Sequence, residues 1–202
     1  MNRKLLKALL LCGALIAPAA IRAQEAPAHR AHRMNYAVTF DFEHARIAQT
    51  GGNRFWLKGG SAEASITFWR NLGVAGTLIG DRASNVNQNI GLSKIAFMAG
   101  PRYAVDLSHI AKPAFHQRRS NVFLESLFGG AHAFDSLFPG AMGTTASASA
   151  FSMLMGGGLD VGLKHGFGIR ALELDWVHTS LPNNAGNSQN DLRLAFGMTL
   201  TR

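Results

Sequence analysis

The chain has 202 residues, with 20 Lys and Arg against 12 Asp and Glu, and a formal charge of +8. Four of these cations precede an expected cleavage site, so the mature chain would keep only a mild, scattered positive excess, which argues against nucleic-acid binding. Only 16% of the residues are charged, and no apolar run of about 18 residues follows the N-terminal region. These features exclude a multi-span helical membrane protein and a charge-rich disordered chain.

Residues 1–23 have the pattern of a secretory signal peptide. Basic residues open the segment, an apolar stretch runs from Leu5 to Ile16, and Ala23 stands at the expected cleavage site. Cys12, the single cysteine, lies inside this segment, so no intramolecular disulfide is expected in the mature protein.

Residues 24–35 are predicted to form a periplasmic N-terminal tether. The segment is rich in Ala, Pro, His and Arg and lacks an apolar period. His29 and His32 lie in it, but a metal site needs three or four rigidly held ligands, so a solvated tail is the favoured interpretation. Residues 36–202 then form one predicted domain.

From Tyr36 onward, apolar residues recur at every second position, which indicates β-strands with one apolar face. The last segment is the clearest, because its apolar face consists of Leu192, Leu194, Phe196, Met198 and Leu200. Eight such segments are recognisable, at 36–43, 61–68, 72–81, 94–103, 120–132, 151–164, 171–176 and 191–201. An even number of this size can close a sheet, so the prediction is an all-β fold, an eight-stranded antiparallel transmembrane β-barrel.

The composition of the two faces favours a membrane barrel. The charged face is also rich in Gly, Ala, Ser and Thr, as a narrow interior requires, and the apolar face would then meet lipid. Aromatic residues stand near segment ends, where interfacial girdles lie: Tyr36, Trp69, Tyr103 and Trp176. The alternative is a soluble barrel whose apolar face points inward and binds a small ligand.

The connections differ in length in the way expected of outer-membrane barrels. Arg70-Asn71 and His165-Gly166 are predicted tight turns on the periplasmic side, together with the N-terminus. Longer outward connections are predicted at about 44–58, 82–92, 134–148 and 179–190. Segment 104–119 is also long, although strand parity puts it on the periplasmic side.

The charged residues of the inward face form the candidate site, a lumen charge network. An eight-stranded interior is only wide enough for side chains, and buried ions must be paired, so a salt-bridged plug is favoured over a narrow gated porin. The predicted members are Asp41, Glu63, Lys94, Arg102, Glu125, Asp160, Glu173, Asp175 and Arg193.

An enzymatic alternative rests on His178 and Ser180, which lie two residues apart near a strand end. An outer-membrane lipid hydrolase would need a carboxylate to orient the histidine, and Asp191 is the available candidate. Strand alternation puts His178 on the lipid side and Asp191 on the lumen side, so no catalytic residue is assigned. The glycine triplet 156–158 lies within a strand, which indicates close packing and not phosphate binding. No cofactor or metal is expected.

Four segments resemble the OmpA-like outer-membrane β-barrel family: Gly100-Pro101-Arg102-Tyr103, 156–161, 164–170 and Asn190-Asp191-Leu192-Arg193-Leu194. The resemblance extends over residues 36–202. It implies a monomeric barrel in the bacterial outer membrane, inserted by the barrel assembly machinery and surrounded by outer-membrane lipids. The implied role is structural, in surface contact or in envelope integrity.

Overall fold

The computed structural model describes residues 33–46, 54–87, 90–107, 120–140, 143–183 and 186–202. The predicted signal peptide and nearly all of the predicted tether, with both its histidines, lie outside these ranges. The described residues form ten strands: β1 (Arg33–Arg46), β2 (Arg54–Trp69), β3 (Leu72–Asn87), β4 (Ile90–Asp106), β5 (Ser120–Phe134), β6 (Phe138–Gly140), β7 (Gly143–Thr145), β8 (Ala148–Gly162), β9 (Phe167–Thr179) and β10 (Gln189–Thr201).

Eight of the strands close into an antiparallel barrel, as predicted. Their order is β1-β10-β9-β8-β5-β4-β3-β2, and β1 pairs with β10 from Asn35↔Thr201 to His44↔Leu192. The cross-strand partners can be followed from strand to strand around the barrel. Starting from Ser93 on β4, one full circuit returns to β4 at Tyr103, ten residues further along the strand. This stagger belongs to strands tilted by about 35–45° to the barrel axis.

The apolar face of the strands points outward. Val38, Phe40 and Met198 are 65%, 69% and 74% exposed, whereas Asp41 and Arg193 are 1% exposed and lie in the lumen. The outward apolar residues of β10 run from Leu192 to Leu200, close to the about 9–11 residues that a tilted strand needs to cross a bilayer. No helix in the described ranges is long and apolar enough to span a membrane.

The strands are longer than the predicted segments at their loop ends. β3 continues to Asn87 and β4 begins at Ile90, so most of the predicted loop 82–92 is strand, although the pairing is irregular between Ala83 and Asn87. The predicted loop 134–148 contains a short hairpin of β6 and β7. The extensions consist mainly of polar residues, so the alternation of apolar residues does not predict them. Backbone hydrogen bonds between the strands nevertheless continue past the apolar band.

Both predicted tight turns are present. Arg70 and His165 adopt positive φ angles of 50° and 57°, and Gly166 follows at 82°. They join β2 to β3 and β8 to β9 at one end of the barrel. Segment 104–119 is described only in part: β4 extends to Asp106, and residues 108–119 lie outside the described ranges.

Strand β9 contains a bulge that changes the face of one predicted residue. On β8, Leu159 pairs with Leu172 and Asp160 with Arg170, so Ala171 is the extra residue. Strict alternation predicted Ala171 on the lumen side, but it is exposed on the outer surface. Because of the bulge, Arg170 and Glu173 both point into the lumen although they are three residues apart.

Candidate functional site: the charged lumen

Arg193 on β10 is the centre of one part of the lumen network. Its Nη2 donates to Asp41 Oδ2 at 2.8 Å, and its Nη1 donates to Glu173 Oε1 at 2.7 Å and to Asp175. Nη2 also donates to Ser61 Oγ at 2.9 Å. One guanidinium therefore connects acidic residues from β1 and β9 across the narrow interior.

Arg170 extends the network through shared carboxylates. It donates to Glu173 Oε2 at 2.7 Å, to Asp160 Oδ1 at 2.9 Å and to Glu63 Oε1 at 2.9 Å. Glu173 thus bonds to both Arg170 and Arg193. A planar guanidinium can donate two parallel N–H bonds to the two oxygens of one carboxylate, and such bidentate pairs are strong and directional.

Arg102 completes the network on the opposite wall. It donates to Glu63, to Glu125 Oε2 at 3.0 Å and to Asp160 Oδ2 at 3.4 Å. The Phe123 ring lies 3.6 Å from the Arg102 guanidinium carbon and 4.5 Å from that of Arg170. A face of the ring attracts each cation and also fills the space between them.

Two glycines of the triplet make room for these groups. A Cβ atom on Gly156 would collide with Asp175, and one on Gly158 would collide with the Phe123 ring. Both glycines face the lumen, which agrees with the interpretation of the triplet as a packing feature.

Lys94 lies apart from the arginines. Its Nζ bonds to Glu43, and Asp81 Oδ2 is 3.6 Å away. Lys94 is near the loop end of β4, whereas Arg102 is near the turn end. The lumen therefore contains a lysine cluster (Lys94, Glu43, Asp81) in addition to the arginine network.

Acidic residues outnumber basic residues in the lumen. The acids of the two groups are Asp41, Glu43, Glu63, Asp81, Glu125, Asp160, Glu173 and Asp175, and the cations are Lys94, Arg102, Arg170 and Arg193, all of them buried. Oxygens of Asp41, Glu43 and Asp175 and both oxygens of Asp81 have no hydrogen-bond partner among the described residues.

Three carboxylates of the lumen lie close enough together to hold a metal ion. Ligand oxygens of Glu63, Glu125 and Glu173 lie within 4.8 Å of one another. Arg102 and Arg170 already donate to these carboxylates, so guanidinium groups supply the positive charge at this point.

Apolar side chains fill much of the remaining interior. One cluster consists of Ala75, Ile79, Ala96, Met98, Leu127, Ala131, Leu154 and Val177. Ala45, Leu57 and Ala83 form a second cluster, and Ala133, Phe138 and Leu181 form a third. The described interior thus alternates ionic and apolar packing.

The structure brings eight of the nine predicted network residues together and separates Lys94 from them. Sequence reasoning missed Arg170, Glu43 and Asp81 as members. Glu43 and Asp81 stand at inward positions of their strands, so alternation could have found them. Arg170 could not be found in this way, because the β9 bulge places it in the lumen.

The residues of the hydrolase alternative have other partners. His178 Nδ1 lies 3.0 Å from Asn190 Oδ1, and its ring stacks on Trp176 with a centroid distance of 5.8 Å. Asp191 is buried on the lumen side, as alternation predicted. The histidine therefore contacts an amide where the proposed chemistry needs a carboxylate.

Solved structures share this architecture at low sequence identity. Neisserial surface protein A is 12% identical over 82% of this chain and 96% of its own, with a TM-score of 0.58. The attachment invasion locus protein Ail of Yersinia pestis is 13% identical over 84% and 98%, with a TM-score of 0.50. The structure of the same Ail in complex with the heparin analogue sucrose octasulfate is 15% identical over 84% of this chain and 99% of its own, with a TM-score of 0.52. No family profile and no curated protein matches the sequence. The chain has the fold of small eight-stranded outer-membrane barrels.

Proposed function

We propose that the protein is an outer-membrane β-barrel with a plugged lumen that acts in surface contact or envelope integrity. The observation that carries the proposal is the network of Arg102, Arg170 and Arg193. These three buried arginines are linked to one another through the shared carboxylates of Glu63 and Glu173. These ion pairs connect four strands, β2, β4, β9 and β10, across a narrow interior, and so they leave little space for a conducting path.

The outer surface supports placement in a bilayer. Its apolar band is bordered at the turn end by Tyr36, Trp69 and Tyr103 and at the loop end by Trp56 and Trp176. Amphipathic aromatic rings favour the two membrane interfaces. A closed sheet also satisfies its backbone hydrogen bonds without an edge, which lipid requires.

What the barrel presents on each side supports a role in surface contact or envelope integrity. Because the interior is filled, we expect the protein to act through its lipid-facing surface and its loops. The loop end bears a hairpin of β6 and β7 and a turn in which Asn183 Oδ1 accepts bonds from the backbone of Gly186 and Asn187. Loops on a rigid barrel are well suited to contact other surfaces.

Planar-bilayer recording tests the plug. The purified wild-type barrel is expected to give no stable conductance steps, and Arg193→Ala is expected to give none either, because Arg102 and Arg170 still fill the interior. Stable steps in the wild type that change ion selectivity in Arg193→Ala would contradict the plug and favour a narrow porin. A deletion strain scored for envelope permeability and surface adhesion tests the biological role.

A further inference from the structure

Charges are sorted between the two faces of the barrel. Nine acidic residues of the described ranges are buried, and the remaining two are Asp106 and Asp135. Among the residues whose exposure is described, the exposed cations are Arg54, Lys58, Arg70, Arg82, Lys164 and Arg202. The outer surface therefore carries an excess of positive charge, which anionic membrane headgroups would neutralise.

Two cations of this positive surface, Lys58 and Arg82, lie side by side. They are direct cross-strand partners of β2 and β3, and both are exposed. Like charges placed directly opposite each other destabilise a sheet. Asp135 Oδ2 lies 3.9 Å from Arg82 Nη1, but these side chains are 49% and 68% exposed, so this ion pair contributes little. In the described ranges, no carboxylate lies within ion-pair distance of Lys58.

The pair lies at the loop-side border of the apolar band. Towards the band, the outward residues of the two strands include Ala62 and Leu78. Towards the loops, Trp56 packs on His44 with a centroid distance of 4.8 Å. A tryptophan at this level marks a membrane interface, so both cations lie at headgroup depth.

A notch in the outer wall adjoins the two cations. Gly60 and Gly80 are the next outward cross-strand pair towards the band, and neither has a side chain. A Cβ atom on Gly80 would meet nothing within 4 Å, whereas one on Gly60 would lie 2.9 Å from the Thr39 carbonyl oxygen, so the open space is on the Gly80 side. Phe40, the partner of Gly60 on β1, and Leu78 border the notch and are 69% and 52% exposed.

We propose that Lys58 and Arg82 bind the phosphate of an anionic lipid whose acyl chain lies in the notch formed by Gly60 and Gly80. The arginine fork matches two phosphate oxygens, and the lysine adds a point charge beside it. The proposal rests on the membrane placement inferred above. It gives Lys58 a counter-charge, and it gives Arg82 a second one beside the exposed Asp135.

Quenching of Trp56 by brominated lipids tests the site. Trp69→Phe and Trp176→Phe remove the other two tryptophans, since the chain has three. In phosphatidylcholine bilayers, dibrominated phosphatidic acid is expected to quench Trp56 more than dibrominated phosphatidylcholine at the same mole fraction. Each cation should contribute an enrichment of about five-fold, and Lys58→Gln with Arg82→Gln should bring the two lipids to equal quenching.

Control variants distinguish binding at this site from a general attraction of the basic barrel surface for anionic lipids. Lys164→Gln, at the turn end, should leave the preference unchanged, whereas Gly80→Leu should reduce it by filling the notch. Equal quenching by both lipids in the wild type overturns the proposal, as does loss of the preference on adding soluble glycerol phosphate, which would indicate a site for free phosphate. Absence of quenching by either lipid overturns the membrane placement itself, and so distinguishes failure of the two proposals.

Discussion

Arg193 is the residue on which the stability of the lumen depends most directly. Its guanidinium donates to Asp41, Glu173 and Asp175, and replacing it by alanine would leave these acids without that partner. Removal of one side of a buried ion pair costs about 3–5 kcal/mol. We expect Arg193→Ala to lower the urea unfolding midpoint in detergent, followed by tryptophan fluorescence.

The matched control is Lys164→Ala, an exposed cation beside a turn. It should change the free energy of unfolding by no more than about 0.5 kcal/mol. Similar midpoints for Arg193→Ala and Lys164→Ala would contradict the structural importance of the network.

Within the lysine cluster, the two acids are expected to respond differently to neutral substitution. Glu43 bonds directly to Lys94, whereas both oxygens of Asp81 lack a hydrogen-bond partner among the described residues. Since acids exceed cations in the lumen, Asp81→Asn should stay within about 1 kcal/mol of the wild type, while Glu43→Gln should cost about 1–3 kcal/mol. Thermal unfolding of both variants in detergent measures the difference, and a larger loss in Asp81→Asn would refute this order.

Individual residues show where sequence reasoning reaches its limit. Alternation correctly gives the faces of Glu125 and Val122, but Phe123 and Leu127 blur the pattern of β5 because they are apolar and buried in the lumen. Phe123 lies against the guanidinium groups of Arg102 on β4 and Arg170 on β9, and Leu127 packs in an apolar lumen cluster, so both depend on contacts between separate strands. No local pattern contains that information.

Among the strands, β10 offers the sharpest test of inside and outside. Leu194 points outward, between Phe42 and Leu174 on the neighbouring strands. Leu194→Arg should destabilise the inserted barrel by about 2–4 kcal/mol if the site is near the bilayer midplane. Leu194→Met is the control of similar volume, and Thr199→Ser tests a polar lumen position; both should be tolerated. Equal sensitivity of Leu194 and Thr199 to polar change in a refolding titration into lipid vesicles would reverse the assigned faces.

Strand β9 shows how one element can be predicted while its register is not. The period of Leu172, Leu174 and Trp176 predicted the strand, and these residues are exposed as expected. The bulge at Ala171 shifts the preceding residues by one position, which brings Arg170 inward. A bulge is recognised by its pairing with both neighbours, so a single strand read alone does not reveal it.

For the whole molecule, the strand number and the closed antiparallel order follow from the sequence because the apolar period repeats in every segment. The extent of the hairpins beyond the lipid band does not, since β3 and β4 remain paired as far as Asn87 and Ile90, in a region of polar residues. Backbone pairing stabilises these extensions, and an apolar count cannot detect it.

Closure of the sheet makes a final prediction for the intact protein. β1 and β10 pair over ten positions, and the Phe40 and Phe196 rings lie 6.4 Å apart across this seam on the outer surface. A closed barrel has no unpaired strand edge, so we expect it to stay folded in detergent until it is heated. The unheated protein should therefore migrate differently from the heated protein in SDS gels and should remain with the outer-membrane fraction. A mature chain that stays soluble without detergent would contradict the membrane placement, because the apolar band would then have no lipid to cover it.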